Sequence, residues 1–244
     1  MIDGVLVLAA GKSTRIASRS RGLPKPLLEI GGKPVVGHTL EWVAGYGIRS
    51  VWMNLHYRPE AIRHALGDGT RFGVALRYSS EPEILGTAGA WKKLCAEWRR
   101  TSLVIYGDNL MRFDLREFLH AHARGGALAT AALFDPTVHA HTGIAGGHAV
   151  LGADARVVRF VEGRAAPGLA PLVNAGAYLL EPTVCTWIAD GFQDFGRHVF
   201  PRLAASRALA GHVLERDAFC LGLDTPASFD RAEELLRVGS VSLA

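Results

Sequence analysis

Cysteine is scarce in this 244-residue chain, and its three copies, Cys95, Cys185 and Cys220, lie far apart. No CxxC or Cys/His ligand spacing accompanies them, which excludes a disulfide framework or a zinc site as the organising device. They read as buried, reduced thiols of a cytosolic protein. Long apolar runs are missing too. A bilayer span needs ~20 residues and a signal peptide needs a basic flank, and neither pattern is present, so a cytoplasmic location without a membrane partner is expected. Blocks of like charge are absent: the net charge of +4 comes from scattered, mostly arginine, positions, which argues against a nucleic-acid-binding arm. The same modest excess of cations suits a pocket for several phosphates. No repeat or low-complexity linker divides the chain.

What is there reads as alternating strands and helices. Val5–Ala10 is a continuous apolar run, the pattern of a strand buried on both faces. Pro34 suits a first helical position, Val36, Leu40 and Val43 follow on one helical face, and Gly47 ends that helix. Further strands are expected at 48–55, 74–78, 103–106, 127–134, 157–162, 175–180 and 218–223. Helices are expected at 59–66, 88–98, 115–123 (N-capped by Asp114), 182–189, 197–206 and from Pro226 onward. This implies one α/β domain with a mainly parallel sheet, extended after residue 135 by antiparallel structure. Ligands of such sheets bind at the carboxyl ends of the strands, here Gly11–Arg15, Asn54–Arg58, Glu81–Gly89, Asp108 and Asp224.

The first of these stretches, GVLVLAAGKSTR, contains a Gly-Lys-Ser that suggests a Walker A loop. That loop requires a glycine five residues before the Gly of Gly-Lys-Ser. Leu6 stands there, inside the strand, so the label fails; no GxGxxG follows the strand either. What remains is a strand, the small residues Ala9, Ala10 and Gly11, and Arg15, a rigid fork suited to phosphate oxygens. Ten residues on, Pro24 and Pro26 flank Lys25 and restrict its backbone. Two cations on one loop opened by a buried strand point to a polyphosphate.

LAAGKSTR followed by PKPLLEIGGKPVVGHTLEWVAGYGI resembles the start of the sugar-1-phosphate nucleotidyltransferases, marked by Gly-x-Gly-Thr-Arg and Pro-Lys-Pro. ALGDGTRFGVALRYSSEPEILGTAGA, VIYGDN, FVEG and VNAGAYLL continue the resemblance in order, over nearly the whole chain. It implies a single Rossmann-like three-layer α/β domain with a mixed, mainly parallel central sheet. The NTP-binding part would cover about residues 1–125 and the sugar-phosphate part about 126–225. The implied reaction joins a nucleoside triphosphate to a sugar 1-phosphate, releasing an NDP-sugar and pyrophosphate. The attacking phosphate is mostly dianionic already, its second pKa being about 6, so no general base is needed.

By the same resemblance Arg15 and Lys25 are the catalytic cations. Leu8, Ala9, Ala10, Gly11, Gly86, Thr87 and Gly107 line the nucleotide, and Asp108 and Asp224 hold Mg²⁺. Gly143, Glu162, Arg164 and Asn174 take the sugar phosphate. Three departures are visible. Lys12-Ser13 replaces the usual residue-glycine step, with little harm expected from the small serine. Gly163 stands where the family has a lysine for the sugar phosphate, leaving Arg164 as the nearest cation. The segment Leu223-Asp224-Thr225-Pro226 is shortened, so that Asp224 is assigned as the carboxylate on that strand end. Leu-Gly-Thr-Ala-Gly and NLHYR resemble guanylyltransferases of mannose or heptose 1-phosphate. Uridine- and cytidine-using enzymes and a catalytically inactive nucleotide-sugar sensor remain alternatives. His56 and Tyr57 either line the base pocket or are structural, whereas Trp42, Trp91 and Trp98 read as core. No acyltransferase or allosteric extension is expected, and the oligomeric state is open.

Overall fold

Val5 and Val7 point to one face of their strand and Leu6 to the other, and all three are fully buried. That requires helices on both sides of the sheet, and the computed structural model, which describes residues 2–143, 146–163 and 172–243, has them. In chain order the strand β1 (Val5–Leu8) is followed by α1 (Val35–Gly45), β2 (Ser50–Leu55), α2 (Pro59–Leu66), β3 (Ala75–Ser80), α3 (Gly86–Lys93), β4 (Ser102–Tyr106), β5 (Asn109–Arg112) and α4 (Leu115–Gly125). The second half contains β6 (Ala129–Phe134), β7 (Ala140–His141), β8 (His148–Leu151), β9 (Val157–Val161), β10 (Leu172–Leu180), α5 (Phe200–Ala205), β11 (Leu209–Val213), β12 (Phe219–Gly222) and α6 (Pro226–Arg237).

Strands β3, β2, β1 and β4 lie side by side, all parallel. The antiparallel β10 borders β4 and also pairs with β6, and β8 and β9 extend that edge. One face buries Val5 and Val7 against Leu40 of α1, Ile62 of α2 and Phe118 of α4. The other packs Leu6 against Trp91 of α3 and Phe200 and Leu203 of α5. Each such buried aliphatic contributes about 1.5–3 kcal/mol. Trp42, Trp91 and Trp98 are in these cores, and Trp91 donates to Ser102 Oγ at 2.8 Å. A second, small sheet pairs β12 antiparallel with β5 and parallel with β7.

Local chemistry explains the element ends. Asp114 caps α4 by accepting from Arg116 N, and Pro59 opens α2, which Gly67 ends with φ +59°. The expected helix over 88–98 starts at Gly86 and breaks after Lys93 into a 3₁₀ turn, Cys95–Glu97. The expected helix over 182–189 is a 3₁₀ turn, Pro182–Trp187. The one over 197–206 begins as a π turn, Phe195–Val199, before α5. Pro201 lacks the N–H that would bond the carbonyl of Arg197 in a regular helix, so the ladder is shifted there.

The reading of three reduced thiols is corrected. Cys95 and Cys185 form a disulfide across 90 residues, with Cα atoms 6.3 Å apart, while Cys220 alone is free and buried. The two partners sit on 3₁₀ turns that only the packing of α3 against the 182–188 segment brings together.

Candidate active site

The phosphate loop leaves β1 and turns through Ser13, whose backbone is left-handed (φ 58°), the conformation the family's glycine would supply. Serine there costs about 1–2 kcal/mol of backbone strain. Its buried Oγ offsets this by accepting a hydrogen bond from Lys25 N at 2.9 Å, so the departure at Ser13 becomes a clamp on the lysine. The Lys25 side chain is 9% exposed and its ammonium contacts both metal-type carboxylates: Asp108 Oδ2 at 3.3 Å and Asp224 Oδ1. Arg15 Nη2 reaches Asp224 Oδ2 at 3.0 Å from a side chain 58% exposed, free to turn toward an anion. Lys12 is exposed.

Asp108 sits in the turn between β4 and β5, and Asp224 follows β12. They meet because β12 pairs with β5, Gly222 opposite Asn109, and Leu223 N donates to Asp108 O at 3.3 Å. Burial pushes the Asp108 carboxyl above the ordinary carboxylate range; Lys25 pulls it back and the like charge of Asp224 adds to the rise. No group of three or more His, Cys, Asp or Glu arranged to hold a metal ion by itself occurs among the described residues. Two carboxylates with room for water and substrate phosphates are nonetheless the donor set Mg²⁺ takes, since it retains waters and shares phosphate oxygens.

A cavity of about 280 Å³ opens beside Asp108. Of the residues assigned to the nucleotide, Leu8, Ala10, Gly11, Gly86 and Thr87 line it. Ala9 and Gly107 do not line it but contact residues that do: Ala9 N donates to Asn54 Oδ1 at 2.8 Å, and Gly107 lies so close to β1 that a Cβ would stand 2.9 Å from Leu8 O. Asn54 continues the chain through Nδ2 to Glu81 Oε1 at 2.8 Å, and Leu85 N donates to Glu81 Oε2 at 3.1 Å. Glu81, only 3% exposed, thus ties the phosphate loop to the turn before α3. His56 donates through Nδ1 to Glu81 O at 2.9 Å, a bond that supports this wall. Gly86 (φ +75°) packs against Gln193, where a Cβ would stand 2.5 Å from the carbonyl oxygen.

The wall also contains Tyr106, Phe192 and Asp194, absent from the sequence assignment. Asn54, near the end of β2, and Glu81, directly after β3, open two of the strand-end stretches marked from the sequence, although neither is assigned a role there. Phe192 and Asp194 arrive from an irregular segment whose partner is α3: Thr87 N donates to Asp194 Oδ1 at 3.2 Å. Burial drives the Tyr106 phenol well above its usual value.

Of the described acceptor residues, Glu162 and Asn174 come together around Gly147, whose carbonyl accepts from Asn174 N at 2.8 Å, whereas Gly143 lies apart from them. Gly143 shares a cavity of about 210 Å³ with Arg15, Thr142 and Asp224, on the phosphate side. Asn174 is buried at the irregularity of β10, with Nδ2 donating to Tyr178 Oη at 2.6 Å and Oδ1 accepting from Gly176 N at 3.0 Å. Glu162 follows β9 and its carboxylate lies against Gly147 and Gly196. Arg164 lies outside the described residues.

The nucleotidyl transferase family profile matches residues 4–230, which takes in the phosphate loop, both carboxylates and the acceptor segment. The chain belongs to this family. The resemblance to sugar-1-phosphate nucleotidyltransferases is thereby borne out, as is the Rossmann-like α/β domain with its mixed sheet. The chain is 33% identical over 216 residues to a UTP–glucose-1-phosphate uridylyltransferase of Synechocystis, a match covering 82% of this chain and 55% of that one. It is 31% identical over 235 residues to the mannose-1-phosphate guanylyltransferase of Mycobacterium tuberculosis, covering 94% of this chain and 63% of that one. The chain therefore spans between half and two thirds of these relatives' length. HddC of Yersinia pseudotuberculosis shares the fold at a TM-score of 0.79 and 22% identity, covering 96% of this chain and 99% of that one. No helix among the described residues is long and apolar enough to cross a membrane.

Proposed function

We propose that this protein transfers a nucleoside monophosphate from an NTP, by preference GTP, to a sugar 1-phosphate of the mannose or heptose type. An oxygen of the sugar phosphate attacks the α-phosphorus in line, the bond to the β-phosphate oxygen breaks, and pyrophosphate leaves with that electron pair. The chemistry is positioning and charge neutralisation. Arg15, whose side chain is more than half exposed, grips the departing β/γ-phosphates. Lys25 moves from the carboxylates to the α-phosphate. Asp108 and Asp224 would hold Mg²⁺, which when bound would neutralise phosphate oxygens. Glu162, Asn174 and Gly143 serve the sugar of the acceptor.

The observation that carries the preference for guanine is Glu81 in the wall of the nucleotide cavity. A carboxylate only accepts, and each oxygen keeps a lone pair beyond its bond to Asn54 or Leu85. Guanine presents two adjacent donors, N1–H and the N2 amino group. Uracil and thymine present one N–H between two carbonyls, which a carboxylate repels; cytosine and adenine pair one amino group with an acceptor nitrogen. A bidentate contact of this kind is worth about 1–3 kcal/mol, or roughly 5- to 150-fold in kcat/KM.

Pyrophosphate release from GTP, UTP, CTP, dTTP and ATP, each with mannose, heptose, glucose and muramate 1-phosphates, tests the proposal. GTP is expected to lead, and Glu81→Gln, which offers one donor and one acceptor, should move the preference toward UTP. An unchanged GTP/UTP ratio in that variant would refute the role of Glu81. Release from UTP or CTP alone would favour a uridylyl- or cytidylyltransferase, and release from no pair would favour a nucleotide-sugar-binding regulator.

A further inference from the structure

The acceptor side has a charge problem. A sugar 1-phosphate is mostly a dianion at neutral pH, yet the two acceptor residues that meet around Gly147, Glu162 and Asn174, supply no positive charge. Arg15 and Lys25 are engaged with Asp224 and Asp108 on the other side of the cavity. Gly163 occupies the position where a lysine would serve, by resemblance.

The π turn Phe195–Val199 answers it. Gly196 presses against the Glu162 carboxylate so closely that a Cβ on it would stand 2.0 Å from Oε2. The next residue, Arg197, is exposed, and it is the cation that pulls the Glu162 carboxyl down against the upward push of desolvation, with Asp194 adding to the rise. The turn is rigidly referenced to the nucleotide wall. Phe195 N donates to Thr87 Oγ1 at 2.9 Å, Thr87 N donates to Asp194 Oδ1, and Asp194 N donates to His198 Nδ1 at 2.8 Å. These bonds leave the guanidinium uncommitted: among the described residues Arg197 makes no side-chain hydrogen bond or ion pair. A planar, uncommitted guanidinium on the turn that abuts the Glu162 carboxyl suits a ligand with a phosphate at one end and hydroxyls at the other.

We propose that Arg197 is the cation that receives the phosphate of the sugar 1-phosphate, while Glu162 accepts hydrogen bonds from the sugar hydroxyls. This rests on the transferase reading above and assigns the acceptor phosphate to Arg197 in place of Arg164.

Steady-state pyrophosphate release by the full chain, with the best NTP and sugar 1-phosphate of the panel, tests it. Arg197→Ala should raise the sugar-phosphate KM about 10- to 100-fold, the loss of a charge-assisted pair of hydrogen bonds, and leave the NTP KM unchanged. Arg197→Lys should recover part of that loss, because it restores the charge without the fork. Arg164→Ala should leave the sugar-phosphate KM within about 2-fold. An unchanged KM in Arg197→Ala, or a rise confined to Arg164→Ala, would overturn the assignment while the transferase reading stands. A rise in both KM values together, unrescued by lysine, would mark Arg197 as structural and overturn it as well. Absence of turnover in the wild-type protein with every pair would overturn the transferase reading, and this assignment with it.

Discussion

Replacing Lys25 by methionine removes the cation that joins Asp108 to Asp224, and the consequence for metal binding can be sized. The ammonium lies 3.3 Å from Asp108 Oδ2 and in contact with Asp224 Oδ1. At an effective dielectric of about 20, one such pair is worth about 5 kcal/mol. The carboxylates are 28% and 25% exposed, so water screens a good part of this. A net of about 2–3 kcal/mol is a reasonable remainder. A divalent cation and the Lys25 ammonium compete for the same two carboxylates in the nucleotide-free protein. Without the lysine, Mn²⁺ should bind the nucleotide-free protein about 30- to 150-fold more tightly, at 1.36 kcal/mol per decade. Electron paramagnetic resonance of free Mn²⁺ in a titration of both proteins reads this directly. Turnover moves the other way, falling about 10²- to 10³-fold as the α-phosphate loses its cation. Mn²⁺ binding no tighter in Lys25→Met than in the wild type would show that the lysine does not occupy the metal's place, and the geometric argument would fail.

Two further outcomes follow from the packing. Burial holds His38 and His212 below the ordinary 6.5. The unfolded chain therefore takes up protons that the folded chain refuses; stability is full above pH 6.5 and is lost as pH falls through that value toward the folded pKa values. Tm should drop between about pH 7.5 and about pH 5.5, and His212→Phe, which removes a buried Nε2 without a partner, should shallow the slope; identical slopes would refute the contribution of His212. Cys185→Ser should cost about 2–4 kcal/mol under oxidising conditions, because the disulfide closes a long loop, and nothing when dithiothreitol is present in both samples. Equal denaturant midpoints in the two redox states of the wild type would count against the disulfide.

Much of the fold was legible because its signals are local. Pro59 and Gly67 bracket α2 as their backbone preferences require, Asp114 caps α4, and the unbroken apolar run of β1 announces burial on both faces. The π turn at Phe195–Val199 was less so, since Pro201 blocks the helical bond but leaves several ways to accommodate its loss. The candidate site divides along the same line. Asp108 stands at a strand end, and Arg15 and Lys25 lie on the loop after β1 within recognisable motifs, whereas Phe192, Asp194 and Arg197 come from an irregular segment without periodicity.

By itself the chain's sequence settles which residues carry charge at the strand ends and which faces must be buried, because side-chain chemistry and periodicity act over a few residues. Only the tertiary structure decides that Lys25 lies between Asp108 and Asp224, 199 residues apart from the second of them. The same holds for Glu81 completing the phosphate loop through Asn54, for Cys95 meeting Cys185, and for Gly196 carrying Arg197 to Glu162. Each juxtaposition is set by sheet register and helix packing, which depend on the burial of the whole core at once and leave no trace in any short stretch of residues.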